Sequence, residues 1–467
     1  MSITDPMAAA LDSCLSIRQG VLHLEDVSLV DLAARFGTPL YVVSEGQLRR
    51  NARAFRAAFA AAWTEGPVRI LPSIKANFSL ALRRILTDEE LGCDTFGAGE
   101  LHAALRSGVP PELISVNGTA KDRGLIERAV SKGAKITLDS AVEIDLVRKV
   151  ARDLGMQAVV RVRLRPDYQG LDQPSEFYAG SLTVAQAAAR YKPGIPLEDL
   201  IPAGREALHA PELQIRGVMA HLGRHSADLA VWRRMAASIA DVVAILQEAW
   251  DGWMPQEIDL GGGFAVPRDP FGRAHGRENA PPAPAIPEYA EAMASGLRQG
   301  LLDRGLSPIG IALEVEPGRA MYGNTGVHLA AVRNIKEQSR PFSWRWVETD
   351  TSDVFLLDTV LEGNRWIVVP AGAADAPPTQ QADIVGLSCG FDVIVGQASV
   401  PALTPGDILA FLDTGAYQDA SANNFNALPR PATVLVSGER AETIKRRETL
   451  DDVFSRDVIP PRLDSLP

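Results

Sequence analysis

The sequence predicts an α/β protein: a (β/α)8 barrel with a C-terminal β-sandwich or β-barrel-like domain that takes in the N-terminal strand. Three patterns carry this reading. Short β-rich runs alternate with longer helical stretches from about residue 68 to residue 319. Polar residues collect at the C-terminal ends of those runs. After Arg319 strands follow one another with little helix between them. Strand–helix alternation repeated eight times is the signature of the barrel, and its C-terminal face is where such a fold builds an active site.

Taken in order, the eight runs are Val68–Ala76, Gly92–Phe96, Ile114–Gly118, Lys135–Ser140, Ala158–Pro166, Ile215–Gly223, Glu257–Gly263 and Gly310–Arg319. Stretches such as Gly99–Ser107, Asp122–Lys132, Ala141–Leu154 and Leu229–Trp250 separate them with helical period. Near the run ends stand Lys75, Asp94, Asn117, Asp139, Arg163, His221, the Gly261–Gly263 triplet and Glu316. Beyond the barrel, Val327–Val332, Arg365–Val369, Ile408–Leu412 and Ala432–Val436 read as strands. Gly20–Val43 is also strand-like and is expected to join them. The expected organisation is residues 1–45 joining the β domain, 46–319 as the barrel and 320–467 as the β domain. Two Pro/Ala-rich segments, Asp269–Pro287 and Ala371–Gln381, read as loops.

Bulk properties narrow the function. The 467 residues carry 47 basic and 58 acidic side chains, a net charge of −11. An acidic surface argues against nucleic acid as a partner, because phosphate binding wants a basic face. The three cysteines, Cys14, Cys93 and Cys389, are widely spaced, with neither a disulfide framework nor metal-ligand spacing. No metal site is expected. Met1 to Asp12 shows no signal-peptide pattern, and no window has the roughly 18 apolar residues of a membrane span. A cytoplasmic location without membrane association is the expectation.

The candidate chemistry starts at Lys75, in S-I-K-A-N at the end of an apolar run. Partial desolvation there lowers an amine's pKa and makes it a nucleophile able to form a Schiff base. Three consecutive glycines in D-L-G-G-G let backbone N–H groups approach a phosphate. In E-V-E-P-G-R, Glu316 is placed to bond the protonated ring nitrogen of pyridoxal 5′-phosphate (PLP), and Arg319 offers a planar fork to its phosphate. His221 in A-H-L-G could stack on the ring. Cys389, in C-G-F-D, could donate a proton, and Tyr417, in D-T-G-A-Y, could hold phosphate. Each has a plain structural explanation when taken alone: a solvent-facing lysine, a tight turn, a Glu–Arg pair, a packed histidine, a buried thiol and a loop tyrosine.

In their order along the chain these motifs resemble the fold-type III PLP-dependent decarboxylases, the diaminopimelate, ornithine and arginine decarboxylase group. The series runs P-L-Y-V-V, S-I-K-A-N, G-C-D-T-F-G-A-G-E-L, V-N-G-T-A-K, D-S-A-V-E, H-L-G, D-L-G-G-G, E-P-G-R, C-G-F-D and D-T-G-A-Y, from about Thr38 to Ile459. The tail, N-F-N-A-L-P-R-P-A-T-V-L-V, is similar to the decarboxylase branch rather than to alanine racemase. The resemblance implies Lys75 as the Schiff-base lysine, His221 as the ring-stacking residue and Glu316 as the partner of the pyridine nitrogen. It implies Gly261, Gly262, Gly263, Arg319 and Tyr417 as phosphate ligands, and Asp94, Glu100 and Arg163 as supports of the lysine and ring. Cys389, with Asp392, matches a loop lent by the second subunit of a homodimer, where the cysteine reprotonates the substrate carbon after CO₂ leaves.

Three departures bear on the substrate. Arg224 stands where the family has Ser. C-G-F-D is one residue shorter than C-E-S-G-D and lacks its Glu. The segment Asp350-Thr-Ser-Asp-Val-Phe and the following Leu-Leu-Asp-Thr lack the family's substrate-carboxylate Arg. A basic or diamino acid is the favoured substrate, with Asp392 meeting a distal ammonium and Phe391 giving an apolar wall. Racemisation on the same scaffold and non-catalytic PLP binding are the alternatives.

Overall fold

The computed structural model describes residues 12–463 apart from 169, 173–181, 222–226, 268–282 and 365. The chain divides into two compact units. One is Leu48–Tyr322, and the other joins the described residues up to Gln47 with those from Gly323 onward.

The first unit is the barrel. Its strands are β1 (Val68–Ile70), β2 (Cys93–Thr95), β3 (Ile114–Val116), β4 (Lys135–Leu138), β5 (Ala158–Arg163), β6 (Leu213–Met219), β7 (Glu257–Asp259) and β8 (Ala312–Val315). Each lies in one of the eight predicted runs, although β6 starts two residues early. They pair in parallel around the ring, β8 returning to β1. The last seam, between β1 and β2, is closed just past the strands by a parallel bridge between Ser73 and Asp94.

Alternation along the strands explains both faces of the wall. Side chains one residue apart point to opposite faces. Ile136 and Leu138, Val160 and Val162, and Leu313 and Val315 occupy one set of positions and are fully buried. The other set carries Lys135 and Thr137, Arg161 and Arg163, and Glu314 and Glu316, and of these Lys135, Thr137, Arg161, Glu314 and Glu316 bond across the barrel interior. Helices follow where the sequence supplies caps. Asp122 accepts the N–H of Leu125 to start Arg123–Lys132, and Ser140 accepts that of Glu143 to start Ala141–Leu154.

In the second unit Leu40–Ser44 runs between Gly326–Gln338, antiparallel, and Ala432–Ser437, parallel. The long strand Gly326–Gln338 pairs with Ile408–Leu412 through its first half and with Trp344–Thr349 through its second, with a register shift between Val332 and Asn334. Two large apolar clusters lie in this unit, one around Leu24, Leu32, Val42 and Leu329, the other around Val347, Ile384, Leu409 and Phe411, with a smaller one around Tyr41, Val354 and Phe355.

The strand-like reading of Gly20–Val43 needs correction. It contains two short strands, Val21–Leu24 and Val27–Ser28, then a helix, Leu29–Phe36, and only then Leu40–Ser44. Ser28 caps the helix by accepting the Asp31 N–H, and Leu29, Leu32 and Ala33 bury one helical face. Gly37, at φ 73°, ends it, and Pro39 follows. The segment Ala371–Gln381, read as loop, gives its last two residues to the strand Gln380–Val385.

Candidate active site

Lys75 lies just beyond β1, in a single 3₁₀ turn, Ile74–Ala76, and not in the strand itself. Its side chain is half-exposed, and Nζ stands 3.5 Å from Oδ2 of the buried Asp94. Asp94 is fixed from two further sides. Ser73 Oγ donates to its Oδ2 at 2.5 Å, and Asn117 Nδ2 donates to its Oδ1 at 2.7 Å. The residues that close the barrel seam therefore also hold the partner of the lysine. Glu100 lies nearby, accepting the Phe96 N–H at 2.7 Å, and burial raises its pKa.

From Asn117 the line continues inward. Its Nδ2 also donates to Glu316 Oε1 at 2.5 Å. Arg161, fully buried, reaches Glu316 Oε1 at 3.2 Å, Asp259 Oδ2 at 2.6 Å and Glu314 Oε2 at 2.6 Å. Burial works against the guanidinium's charge, but the surrounding carboxylates outweigh it and raise its pKa. Burial, then the charges of Asp259 and Asp94, push Glu316 well above the usual carboxylate range, with Arg161 opposing. Asp259 is likewise raised by burial.

A second ionic tier lies one alternation back along the strands. Arg69 bonds Glu257 at 3.1 Å and Glu314 at 2.9 Å, and Lys135 bonds the same two acids at 2.5 and 2.9 Å. Burial alone would raise Glu314, but Lys135 and Arg161 overcome it and hold the carboxyl down at about 2. Arg69, Lys135, Arg161, Glu257 and Glu314 were absent from the sequence-derived site. For Arg161 and Glu314 the signal was a charge two residues before a polar strand end, Arg163 and Glu316.

The glycine triplet follows β7. A Cβ on Gly261 would lie 2.8 Å from the His221 Cα, and one on Gly262 would lie 2.0 Å from the Glu316 carbonyl oxygen. Both glycines are thus required by close approach of neighbouring strand ends. The N–H of Gly261 donates to Asp259 Oδ1 at 2.7 Å, so this amide is committed within the protein and not to an anion. Gly263 has φ 101°. His221 is half-buried beyond β6, Arg163 is buried at the end of β5, and Arg319 is buried at the start of the short helix Arg319–Tyr322. Arg224 lies outside the described residues.

Within the β unit, Cys389 is exposed, and its N–H donates to Asn426 Oδ1 at 2.9 Å. Phe391 is fully exposed. Asp392 corrects the expectation of a substrate ligand. It is 2% exposed, and its two oxygens accept the N–H groups of Asp353 at 2.6 Å and Ser388 at 2.7 Å. Its carboxylate staples the loop. Tyr417 is half-buried with φ 66°, directly before the short helix Gln418–Ser421.

Residues 45–323 match the model of the pyridoxal-dependent decarboxylase family, pyridoxal binding domain. Diaminopimelate decarboxylase of Zymomonas mobilis is 30% identical over 442 residues, covering 94% of this chain and 97% of that one. The chain belongs to the pyridoxal-dependent decarboxylases. Diaminopimelate decarboxylase of Archaeoglobus fulgidus is 29% identical, covering 95% and 99% of the two chains. The crystal structure of the M. jannaschii diaminopimelate decarboxylase in complex with L-lysine is 26% identical, with a TM-score of 0.83 over 97% of this chain and 99% of that one.

This decarboxylase is a carboxy-lyase whose cofactor is PLP. The interior charges fit that cofactor. Asp94, Glu257, Asp259, Glu314 and Glu316 are held among Arg69, Lys135, Arg161 and the Lys75 amine, and Glu316 is the acid that burial, Asp259 and Asp94 drive furthest towards its neutral form. A protonated ring nitrogen held at Glu316 would supply the positive charge that favours its carboxylate form. Among the described residues no group of His, Cys, Asp or Glu has the arrangement of a metal site, and no helix is long and apolar enough to cross a membrane.

Proposed function

We propose that this decarboxylase removes the α-carboxyl group of a basic or diamino acid, with Lys75 as the cofactor lysine. The observation that carries the assignment is the unbroken line from the Lys75 amine through Asp94 and Asn117 to Glu316. It sets a nucleophilic amine and a buried acid at two ends of one fixed array. The diamino preference is supported by the diaminopimelate decarboxylases the chain resembles and by the lysine bound to the M. jannaschii enzyme.

Bound PLP supplies the electron sink for the pair released when CO₂ leaves. The protein's part is orientation and proton control. Lys75 would hold the cofactor through its amine, which Asp94 keeps aimed from 3.5 Å. Glu316 would hold the ring nitrogen, with His221 and Arg163 supporting the ring. Gly262, Gly263, Arg319 and Tyr417 would hold the phosphate, and Gly261 would contribute through its conformation. Cys389, on an exposed loop pinned by Asn426 and Asp392, protonates the substrate carbon from a second subunit of a homodimer. Phe391 beside it lines the substrate pocket. The working compartment is the cytoplasm.

The test is mass spectrometry of purified protein with PLP and a panel of D- and L-amino acids. One basic or diamino acid should yield a product lighter by CO₂. Lys75→Ala should lower turnover at least about 10³-fold, roughly 4 kcal/mol of barrier. Normal turnover in that variant would end the Lys75 assignment. Loss of stereochemical purity without loss of CO₂ would make the chain a racemase.

A further inference from the structure

We infer that Asn117 is a positioning residue that locks together the two acids of the cofactor site, Asp94 and Glu316, in an orientation dictated from below by Arg161. This rests on Lys75 as the cofactor lysine and goes beyond it by assigning a part to the V-N-G-T-A-K motif.

The argument is one of hydrogen-bond polarity. Arg161 can only donate. Its Nε donates to Thr137 Oγ1 at 2.7 Å, and a terminal nitrogen donates to Ser115 Oγ at 2.6 Å. Both hydroxyls accept from the guanidinium and turn their own hydrogens to Asn117 Oδ1, Thr137 at 2.5 Å and Ser115 at 2.7 Å. Arg161 itself adds a third donor to that oxygen at 3.1 Å. With Oδ1 so committed, the amide has one orientation left. Nδ2 must face the acids, one hydrogen for Asp94 Oδ1 and one for Glu316 Oε1.

Every hydrogen-bonding group of Asn117's side chain is therefore used. The charged groups facing this array are Asp94, Glu316, Arg161, Asp259 and, through Asp94, Lys75. Two carboxylates that would repel one another are instead joined through a neutral amide. One of them sets the environment of the lysine amine and the other that of the ring nitrogen. Removing the amide disconnects them. Replacing it with a carboxyl of the same shape inserts a third acid between them.

The experiment uses the full chain, PLP as the probe, and the variants Asn117→Ala and Asn117→Asp. The readouts are thermal melting without cofactor, PLP affinity, and the pH midpoint of the bound cofactor's visible absorption band. Asn117→Ala should weaken PLP binding about tenfold or more, the loss expected for a charged hydrogen bond. It should also lower the midpoint, because both acids lose the donor that favours their charged forms. Asn117→Asp, which keeps the shape, also loses that donor, but the carboxylate it adds keeps the three donors from Ser115, Thr137 and Arg161 and so stays charged, and the net gain of negative charge should raise the midpoint by about one pH unit. Opposite shifts are the signature of positioning, which a merely structural residue would not give. Shifts in the same direction, or an unchanged midpoint in the folded Asn117→Asp variant, would overturn the inference. A wild-type chain with no Lys75-dependent band would overturn the lysine assignment beneath it.

Discussion

The interiors of the two units are stabilised in different ways. In the β unit, Leu24, Val42, Leu329 and Phe411 exclude water by apolar packing. In the barrel, the inner face of β1, β4, β5, β7 and β8 is ionic, with Arg69, Lys135 and Arg161 set among Glu257, Asp259, Glu314 and Glu316. Apolar packing is tolerant of exchange at constant volume, because dispersion and burial depend weakly on which atoms fill the space. A buried ionic array is not, since each charge is bearable only while its partner is present. The β unit can therefore vary its core, whereas the barrel's interior fixes charge positions directly beneath Lys75.

The largest effect should come from breaking the ionic tier on one side. Glu314 meets Arg69, Lys135 and Arg161 at once, so Glu314→Gln leaves their positive charge poorly compensated. Urea unfolding should show a loss of about 3–5 kcal/mol. Removing one charge of each sign, in Lys135→Met with Glu257→Gln, should cost much less than either single change. A double variant as damaged as the sum of the singles would show that packing, not charge pairing, rules the interior.

In the β unit the matching experiment is Leu329→Ala. Leu329 is fully buried within the first apolar cluster, and its truncation should cost about 2–5 kcal/mol. The cost should not change between low and high salt. A strong salt dependence would mean that the contrast between the units is overdrawn.

Much of this contrast was hidden in the sequence, for a physical reason. All eight barrel strands were legible because their apolar residues alternate with helical segments, and Lys75, Asp94, Arg163, His221 and Glu316 were legible as strand-end polar residues. Lys135, Arg161, Glu257 and Glu314 were not. A charge at an alternate position of a strand ordinarily marks a solvent-facing side. Only closure of the sheet turns that face inward, and closure is a property of the whole ring rather than of any one strand. Asp392 was misread for a related reason. Its place beside Cys389 suggested a ligand, but its oxygens are taken by the N–H groups of Asp353 and Ser388, contacts set by a loop 39 residues away in sequence and by the turn itself. The helix Leu29–Phe36 was masked by β-branched and leucine residues on either side, although Ser28 and Gly37 mark its ends.

The β unit also contains a polar group that sharpens the comparison through pH. His328 is fully buried against the Tyr41 ring, with Nε2 2.6 Å from Thr351 Oγ1. Burial, then the charge of Arg447, lowers its pKa to about 3. The folded chain thus keeps this imidazole neutral where the unfolded chain, titrating near 6.5, takes up a proton. Stability from this group is present above the unfolded value and is lost progressively as pH falls from about 6.5 towards 3. Between about pH 7 and about pH 5.5 the loss should be about 1 kcal/mol. His328→Gln should flatten that part of the stability profile. An unchanged slope would place the acid sensitivity elsewhere.

The smallest effect tests local structure alone. Ser28 caps Leu29–Phe36 through a 3.2 Å bond from the Asp31 N–H, in an exposed setting, so Ser28→Ala should cost only about 0.5–1 kcal/mol. Ser28→Asp should restore most of it, since a carboxylate both accepts that N–H and meets the helix's positive end. Neither change should alter PLP affinity, because the cap serves the packing of Leu29 and Leu32 into the apolar cluster and carries no charge toward the barrel's acids. A shift in cofactor affinity from so small a change would show that the two kinds of interior are not separable. The ionic array would then have to be understood as depending on the apolar one, despite the different physics that holds each together.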